Sequence, residues 1–272
     1  MADRTIAYCR TCIADIDAMS ALTHRSFPAH THDQYGLGTV VSGEHRSRSD
    51  RKQVTAVPGS MISVNPGEVH DGHAVGRRSR AWRMIYFNCD FLNELRCEIL
   101  DREPGEFRFP AAAFQDSKLR ALFESTFAAL VGYEDSLSTL RAESLLLCLV
   151  HQLEQSRIPT RPSAVTATPC VRRAIEAIDA EPGNADLTLQ HLADVAGLSR
   201  YQLIRGFARA LGLTPHAYIV QTRLALARRL IRSGEPIADV AFRTGFADQS
   251  HLSNAFRRQF GVSPGSYCSG FR

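Results

Sequence analysis

Three histidines carry the most conspicuous chemistry in this sequence. His30 and His32 stand two residues apart in "FPAHTHDQYGLGTVVSG", and His70 closes "NPGEVHDG". On a strand, residues i and i+2 face the same side, so the first two rings are expected to share one surface. Three converging imidazoles can hold Zn²⁺, Fe²⁺ or Mn²⁺. They can equally line a metal-free pocket whose donors and charge respond to a ligand. Tyr35 adds a hydroxyl nearby in sequence, and "AWRMIYFN" brings Trp82, Arg83 and Tyr86. Alternation sets Arg83 on the face opposite Trp82, Met84 and Tyr86. An inward Arg83 would suit a carboxylate, and solvent exposure is its other fate.

The elements that must position these residues are β-rich. Residues 22 to about 90 are short runs punctuated by turn residues: "YGLGTVVSG", "GSMISVNPG", "AWRMIYFN". Two amphipathic helices are expected next, over "DSKLRALFESTFAALVG" and "SLSTLRAESLLLCLVHQLEQS". On the second, Leu140, Ser144, Leu147 and His151 mark one stripe, with Leu137, Leu145, Leu149 and Leu153 beside it. The Leu-rich stripe around Leu145 to Leu153 reads either as intramolecular core or as a dimer contact. "RIPTRPSAVTATP" holds three prolines and little that could pack, and reads as a linker. The expected organisation is a domain at 1–157 with a docking or dimerisation region at about 115–156, a linker at 158–169, and a helical domain at 170–272.

At 272 residues the chain can bury two cores. No window approaches the roughly 18 uninterrupted apolar residues of a membrane helix. "MADRTIAYCR" lacks the apolar segment of a secretion signal, so the cytoplasm is expected and a membrane partner is not. Seven cysteines are scattered, and only Cys9 and Cys12 form a C-x-x-C, without a second pair to complete a zinc site. They read as reduced thiols, with a redox switch as the alternative. Charge is unevenly placed. From Cys170 onward 13 arginines face 8 acidic residues, a balance of +5, while the rest of the chain stands at −1. Such asymmetry suggests a polyanion-binding module.

The C-terminal hundred residues contain a repeat. "LADVAGLSRYQLIRGFARALGLTPHAY" overlays "IADVAFRTGFADQSHLSNAFRRQFGVSPGSY", with Phe207, Pro215 and Tyr218 matching Phe256, Pro264 and Tyr267. Each copy reads as a helix–turn–helix. In the first, Thr188 caps a helix ending at Ala196, Gly197 makes the turn, and Ser199 with Gln202 forms a capping box. Leu203, Phe207 and Leu211 then face the core, leaving Tyr201, Arg205 and Arg209 outside. In the second copy Pro236 starts a helix, Gly245 turns and Asp248 caps. Leu252, Phe256 and Phe260 are buried there, with Ser250, Asn254 and Arg258 outside. Thr214-Pro215 and Ser263-Pro264 begin the following helices. Two such helices joined by "HAYIVQTRLALARRLIRS" could enter successive major-groove faces roughly 34 Å apart. Arg223, Arg228, Arg229 and Arg232 along the bridge suit phosphates, as do Arg200, Arg209 and Arg258.

These motifs make residues 170–272 resemble the DNA-binding domain of the AraC/XylS family of bacterial transcription regulators. The resemblance implies base reading by Tyr201, Gln202 and Arg205 from the first motif and by Gln249, Ser250, His251 and Asn254 from the second. Asn254 stands where the family commonly has a basic residue, Cys268 where it often has Arg, and Gly206 costs its helix about 1 kcal/mol relative to Ala. The family also frequently carries an N-terminal sensor built as a cupin-type β-barrel, which residues 22–90 resemble. His30, His32 and His70 then fall in its interior with Tyr35 and Arg83, as an effector pocket. The cupin metal pattern expects a glutamate three or four residues after the second histidine, where Tyr35 and Gly36 stand.

The expected fold class is therefore α+β in two domains: a cupin-like β-barrel with flanking helices, then an all-α domain of two helix–turn–helix motifs. The expected function is a DNA-binding transcription activator answering to a small effector. "NPGEVHDG" before "WRMIY" resembles regulators found beside amino-acid exporters, which suggests an amino acid. Expected partners are double-stranded DNA, the effector, RNA polymerase and a second copy of the chain. No cofactor and no catalytic residue is expected. Two rivals stay open: a metal-dependent cupin enzyme or metal sensor fused to a DNA-binding domain, and a partner-binding protein that has lost DNA affinity.

Overall fold

The computed structural model describes residues 5–49, 52–76, 78–101, 104–109, 111–132, 136–155, 167–184 and 186–270. The chain divides into two units, Met1–Arg161 with Gly270–Arg272, and Pro162–Ser269. The first contains β1 (Thr5–Cys9), β2 (Ile16–Thr23), β3 (Phe27–His30), β4 (Tyr35–Ser42), β5 (His45–Ser49), β6 (Lys52–Ala56), β7 (Met61–Val64), β8 (His70–Ala74), β9 (Arg80–Phe87), α1 (Cys89–Leu100), β10 (Ala113–Phe114), α2 (Ser117–Val131) and α3 (Ser136–Gln155). One sheet runs β1-β2-β9-β4-β7-β10 and the other β3-β8-β5-β6.

Strand β9 lies between β2 and β4, all antiparallel, so both its edges are hydrogen-bonded. Period-2 alternation sorts its side chains into two cores. Trp82, Met84 and Tyr86 pack with Met19, Ala21 and Val40, and with Phe27 and Ala56 of the four-stranded sheet. Ile85 and Phe87 pack on the other side with Ile16, Leu37 and the helical residues Leu92, Phe123, Leu130, Leu146 and Leu149. The six-stranded sheet is thus a middle layer between the second sheet and the helices.

Several elements differ from the sequence reading. Strands begin at residue 5 rather than 22; of the two additional strands, β2, "IDAMSALT", is covered on both faces and lacks the alternation of a half-exposed strand. Helix α1 is a further element that the sequence reading does not include: Phe91, Leu92, Leu95 and Ile99 recur at helical spacing and pack on the core, with Arg96 buried among them. Arg96 pairs with Glu154 of α3 at 2.5 Å. On α3 the buried face is Ala142, Leu146, Leu149, Val150 and Leu153. The stripe through Leu140, Ser144, Leu147 and His151 faces solvent instead.

The second unit is helical: α4 (Pro169–Ala180), α5 (Leu189–Ala196), α6 (Arg200–Leu211), α7 (Pro215–Arg232), α8 (Ile237–Arg243), α9 (Gln249–Phe260) and α10 (Pro264–Ser269). Residues 158–166 of the expected linker lie outside the described residues. Its last residues are structured: the Thr168 side chain accepts from the Val171 N–H and Pro169 opens α4. Val171, Ala174 and Ile178 of α4 share a core with Leu192, Ala196, Leu203, Phe207 and Ile219. In the second motif Phe256 packs on Phe260 and Tyr267 at centroid separations of 4.4 and 5.4 Å. No helix among the described residues is long and apolar enough to cross a membrane.

Candidate ligand pocket and nucleic-acid interface

His30 and His70 face each other across the β3–β8 ladder. Strand β3 is an edge strand, which tolerates Pro28 and its missing N–H. The register shifts between Phe27 and His30, and the strand ends there. His32 therefore lies in the connection to β4, where strand parity does not place it. Its backbone carbonyl accepts from Gly67 N–H at 2.8 Å, tying the connection to the "NPGE" turn. The three rings still converge, with centroids 4.4 to 5.1 Å apart, and His32 lies 5.2 Å from the Tyr86 ring of the facing sheet.

Backbone carbonyls set the tautomers. His30 Nδ1 lies 2.7 Å from Pro28 O, and His70 Nδ1 lies 3.1 Å from Glu68 O. A carbonyl only accepts, so both Nδ1 atoms carry the proton and each Nε2 keeps its lone pair. Burial, with repulsion from the other ring, pushes His30 down to about 3, and burial pushes His70 down to about 4, so both are neutral at pH 7. Glu68 is not a fourth member. It accepts from Ser49 Oγ, and from Asn65 Nδ2 at 2.7 Å, stapling the turn that presents His70. One ring nitrogen from each histidine lies within 4.8 Å of the others. A tetrahedral metal with bonds of about 2.0–2.1 Å needs donors nearer about 3.3 Å apart. The triangle would have to contract, and it contains no carboxylate.

Two residues expected in this pocket are elsewhere. Tyr35 shares the face of Leu37, packs on Phe107 and Phe109, and donates to Phe107 O at 2.8 Å. Arg83 turns to the helical layer, pairing with Glu124 of α2 at 2.5 Å and lying 5.5 Å from the Phe127 ring. Strand parity separates both from the histidines. The interior instead gains Asp17, His45 and Arg80, which the sequence reading missed. Asp17 is buried opposite Tyr86 and accepts from Gln34 Nε2 at 3.4 Å. Arg80 carried a usable signal, since it shares the parity of Trp82, Met84 and Tyr86.

In the helical unit, caps and turns fall where the sequence placed them. Ser199 and Gln202 form the capping box, and Asp248 accepts from His251 N–H at 2.7 Å. Gly197 and Gly245 turn with φ of +65° and +73°, a region costly for other residues. Tyr201, Gln202 and Arg205 are exposed on α6, and Gln249, Ser250, His251 and Asn254 on α9. The Arg205 guanidinium lies 5.5 Å from the Tyr201 ring, and His251 stacks edge-on to Phe246 at 5.1 Å. Gln202 Oε1 is already taken by the Ser199 N–H at 2.9 Å. Gly206 also has a reason: a Cβ there would lie 2.5 Å from Val171 Cγ2, so the glycine lets α4 pack onto α6.

The arginines divide. Arg200, Arg209 and Arg258 are exposed, as phosphate contacts require. Arg223 is not available: it donates to Pro182 O at 2.8 Å, Gly245 O at 2.6 Å and Asn184 O at 2.9 Å. Arg228 is buried. Both face inward because the bridging helix α7 is packed on several sides rather than laid along a surface.

Comparisons with known proteins match both units. A family model described as an AraC-like ligand binding domain matches residues 18–150, and one described as a helix-turn-helix domain matches residues 192–269. The uncharacterized HTH-type transcriptional regulator YbfI of Bacillus subtilis (strain 168) is 28% identical over 230 residues, 84% of this chain and 82% of its own. The HTH-type transcriptional activator RhaS of Shigella flexneri is 28% identical over 266 residues, 93% and 92% of the two chains. The crystal structure of ToxT from Vibrio cholerae strain SCE256 with an unsaturated fatty acid bound superposes with a TM-score of 0.57 at 13% identity, covering 98% of this chain and 97% of its own.

Proposed function

The chain belongs to the AraC family of DNA-binding transcription regulators with an N-terminal ligand-binding domain, and from that premise we propose that it is an effector-responsive activator acting in the cytoplasm, with no catalytic role. The observation that carries this reading is the pair of capped helices α6 and α9. Each buries an apolar stripe and presents polar and arginine side chains outward. Arg205 suits guanine and Asn254 suits adenine, each through two hydrogen bonds. Arg200, Arg209 and Arg258 supply phosphate contacts. The effector, a small polar molecule such as an amino acid, occupies the interior between the two sheets, beside His30, His32 and His70. It switches the protein only by binding two arrangements of the chain with different affinity. Residues 115–156 transmit that preference, and the exposed Leu137, Leu140 and Leu147 offer a homodimer contact. Contact with RNA polymerase follows from the activator assignment.

Arg205→Ala and Asn254→Ala test the base readers. Each should weaken binding to a mapped promoter site by about tenfold or more while leaving binding to unrelated duplexes nearly unchanged. Unchanged promoter affinity in both variants removes these residues from base reading. A metal-sensor reading is kept beside this one by the histidine triangle, in which the three imidazoles would be the ligands. Metal analysis of the untagged protein, with His30→Ala and His70→Ala as controls, decides between them. We expect no stoichiometric metal, because the triangle is wide and has no anionic member; one equivalent lost in both variants reverses the order.

A further inference from the structure

Arg80 opens β9 and is 0% exposed. Its Nε donates to His45 Nδ1 at 3.1 Å and its Nη1 to Arg25 O at 3.0 Å, with the guanidinium 4.8 Å from the Trp82 ring. Among the described residues, Nη2 is buried without a hydrogen-bond partner and no carboxylate pairs with this arginine. A buried cation without a counter-ion is expensive, and an unpaired buried donor adds to that cost. Burial alone pulls the guanidinium down to about 10, with no neighbouring acid raising it again. Holding β9 to His45 and to the turn after β2 explains two of its nitrogens. It explains neither the free Nη2 nor the uncompensated charge.

The space beside Nη2 is shaped by a missing side chain. A Cβ at Gly72 would lie 3.5 Å from Arg80 Nη2 and 3.4 Å from both Cε1 and Nε2 of His45. Because His45 Nδ1 accepts from Arg80, the neutral ring carries its proton on Nε2. Two donors therefore border the same gap. Its walls are aromatic: Trp82 stands edge-on to His45 at 5.4 Å and to Phe27 at 6.1 Å, and Phe27 is opposite Gly72 in the β3–β8 register. One fixed positive charge, two convergent N–H groups and an apolar lining match a singly charged, planar anion on a short organic tail. A phosphate would leave oxygens without donors here.

We propose that Arg80, with His45, binds the carboxylate of a small organic effector over Gly72. The proposal deepens the sensor reading above and rests on it. Trp82 is the only tryptophan in the sequence and lies 4.8 Å from the guanidinium, so tryptophan emission is read from beside this site. The full chain is titrated with acetate, propionate, L-alanine and L-leucine at constant ionic strength in chloride, with acetamide as the neutral control. At least one carboxylate should shift Trp82 emission saturably, and acetamide should not. Arg80→Gln should weaken that response at least about tenfold. Gly72→Ala should do the same with an unchanged melting temperature, because its Cβ makes only ordinary contacts; it keeps the test valid if Arg80→Gln fails to fold. Silence of all four carboxylates, an equal response to acetamide, or an undiminished response in Gly72→Ala would overturn the proposal. Salt-dependent DNA binding by the same preparations reads the regulator assignment separately: its loss sinks that assignment, and its retention with silent carboxylates sinks only the anion site.

Discussion

Replacing Arg223 by alanine should loosen the helical unit without changing how many phosphates it neutralises. Three guanidinium nitrogens of Arg223 donate to Pro182 O, Gly245 O and Asn184 O, at 2.6 to 2.9 Å. The side chain thereby ties the loop between α4 and α5 to the turn of the second helix–turn–helix. Hydrogen bonds from a charged donor are worth about 1.5–3 kcal/mol each when buried, and about 1 kcal/mol is fairer for a half-exposed arginine. Loss of all three amounts to about 3 kcal/mol. For a unit of roughly a hundred residues that lowers the melting temperature by more than about 12 °C. Lysine, a point donor, should recover no more than about a third of the loss. The assay is urea and thermal unfolding followed by circular dichroism, paired with DNA affinity measured across salt concentrations. Removing a phosphate contact flattens the slope of log K against log salt by about 0.9; removing an internal strut leaves it unchanged. An Arg223→Ala protein of normal stability with a flattened slope would exclude the strut and restore Arg223 to the DNA surface.

The N-terminal unit should be acid-labile. Burial holds His30 and His45 down at about 3 and His70 at about 4, all below the ordinary 6.5. The unfolded chain then binds more protons between those values, so stability is full above about pH 6.5 and is lost as pH falls toward 4. Each ring contributes about 2 kcal/mol of loss at pH 5, and equal urea midpoints at pH 7 and pH 5 would contradict the burial of the cluster. Gly206→Ala should destabilise by about 1 kcal/mol, because overpacking against Val171 outweighs the gain in helix propensity. In a Val171→Ala background the same change should instead stabilise, and a double-mutant cycle reads that reversal. Arg83→Ala should change stability by less than about 1 kcal/mol and leave any ligand response of Trp82 intact, since the Arg83–Glu124 pair is part-exposed and faces the helices.

The helical unit was legible because its signals are local. Capping residues, αL glycines, Pro at helix starts and the duplicated Phe, Pro and Tyr positions lie within a few residues of the backbone they control. Ser199, Gly197, Thr214 and Asp248 accordingly appear in the structure in the roles their types imply. Long-range packing was not legible. Nothing near Arg223 distinguishes a strut from a phosphate contact, because its partners Pro182, Asn184 and Gly245 come from segments tens of residues away. The cost of Gly206 to its own helix is local, whereas its reason, Val171 of α4 packed against it, comes from a distant segment.

The N-terminal unit shows the same division. Histidines at 30, 32 and 70 in one β-rich domain, and a basic helical repeat after it, can be read directly from residue order. Which side chains meet is set by packing between distant segments. His32 joins the cluster from a connection rather than a strand, Tyr35 and Arg83 turn to the helical layer, and Arg80 and His45 close on the gap over Gly72. The physical reason is that strand parity assigns a residue to a face. Which face becomes the interior depends on the second sheet and the helices that cover the two sides, and those contacts are written in no local stretch of the chain.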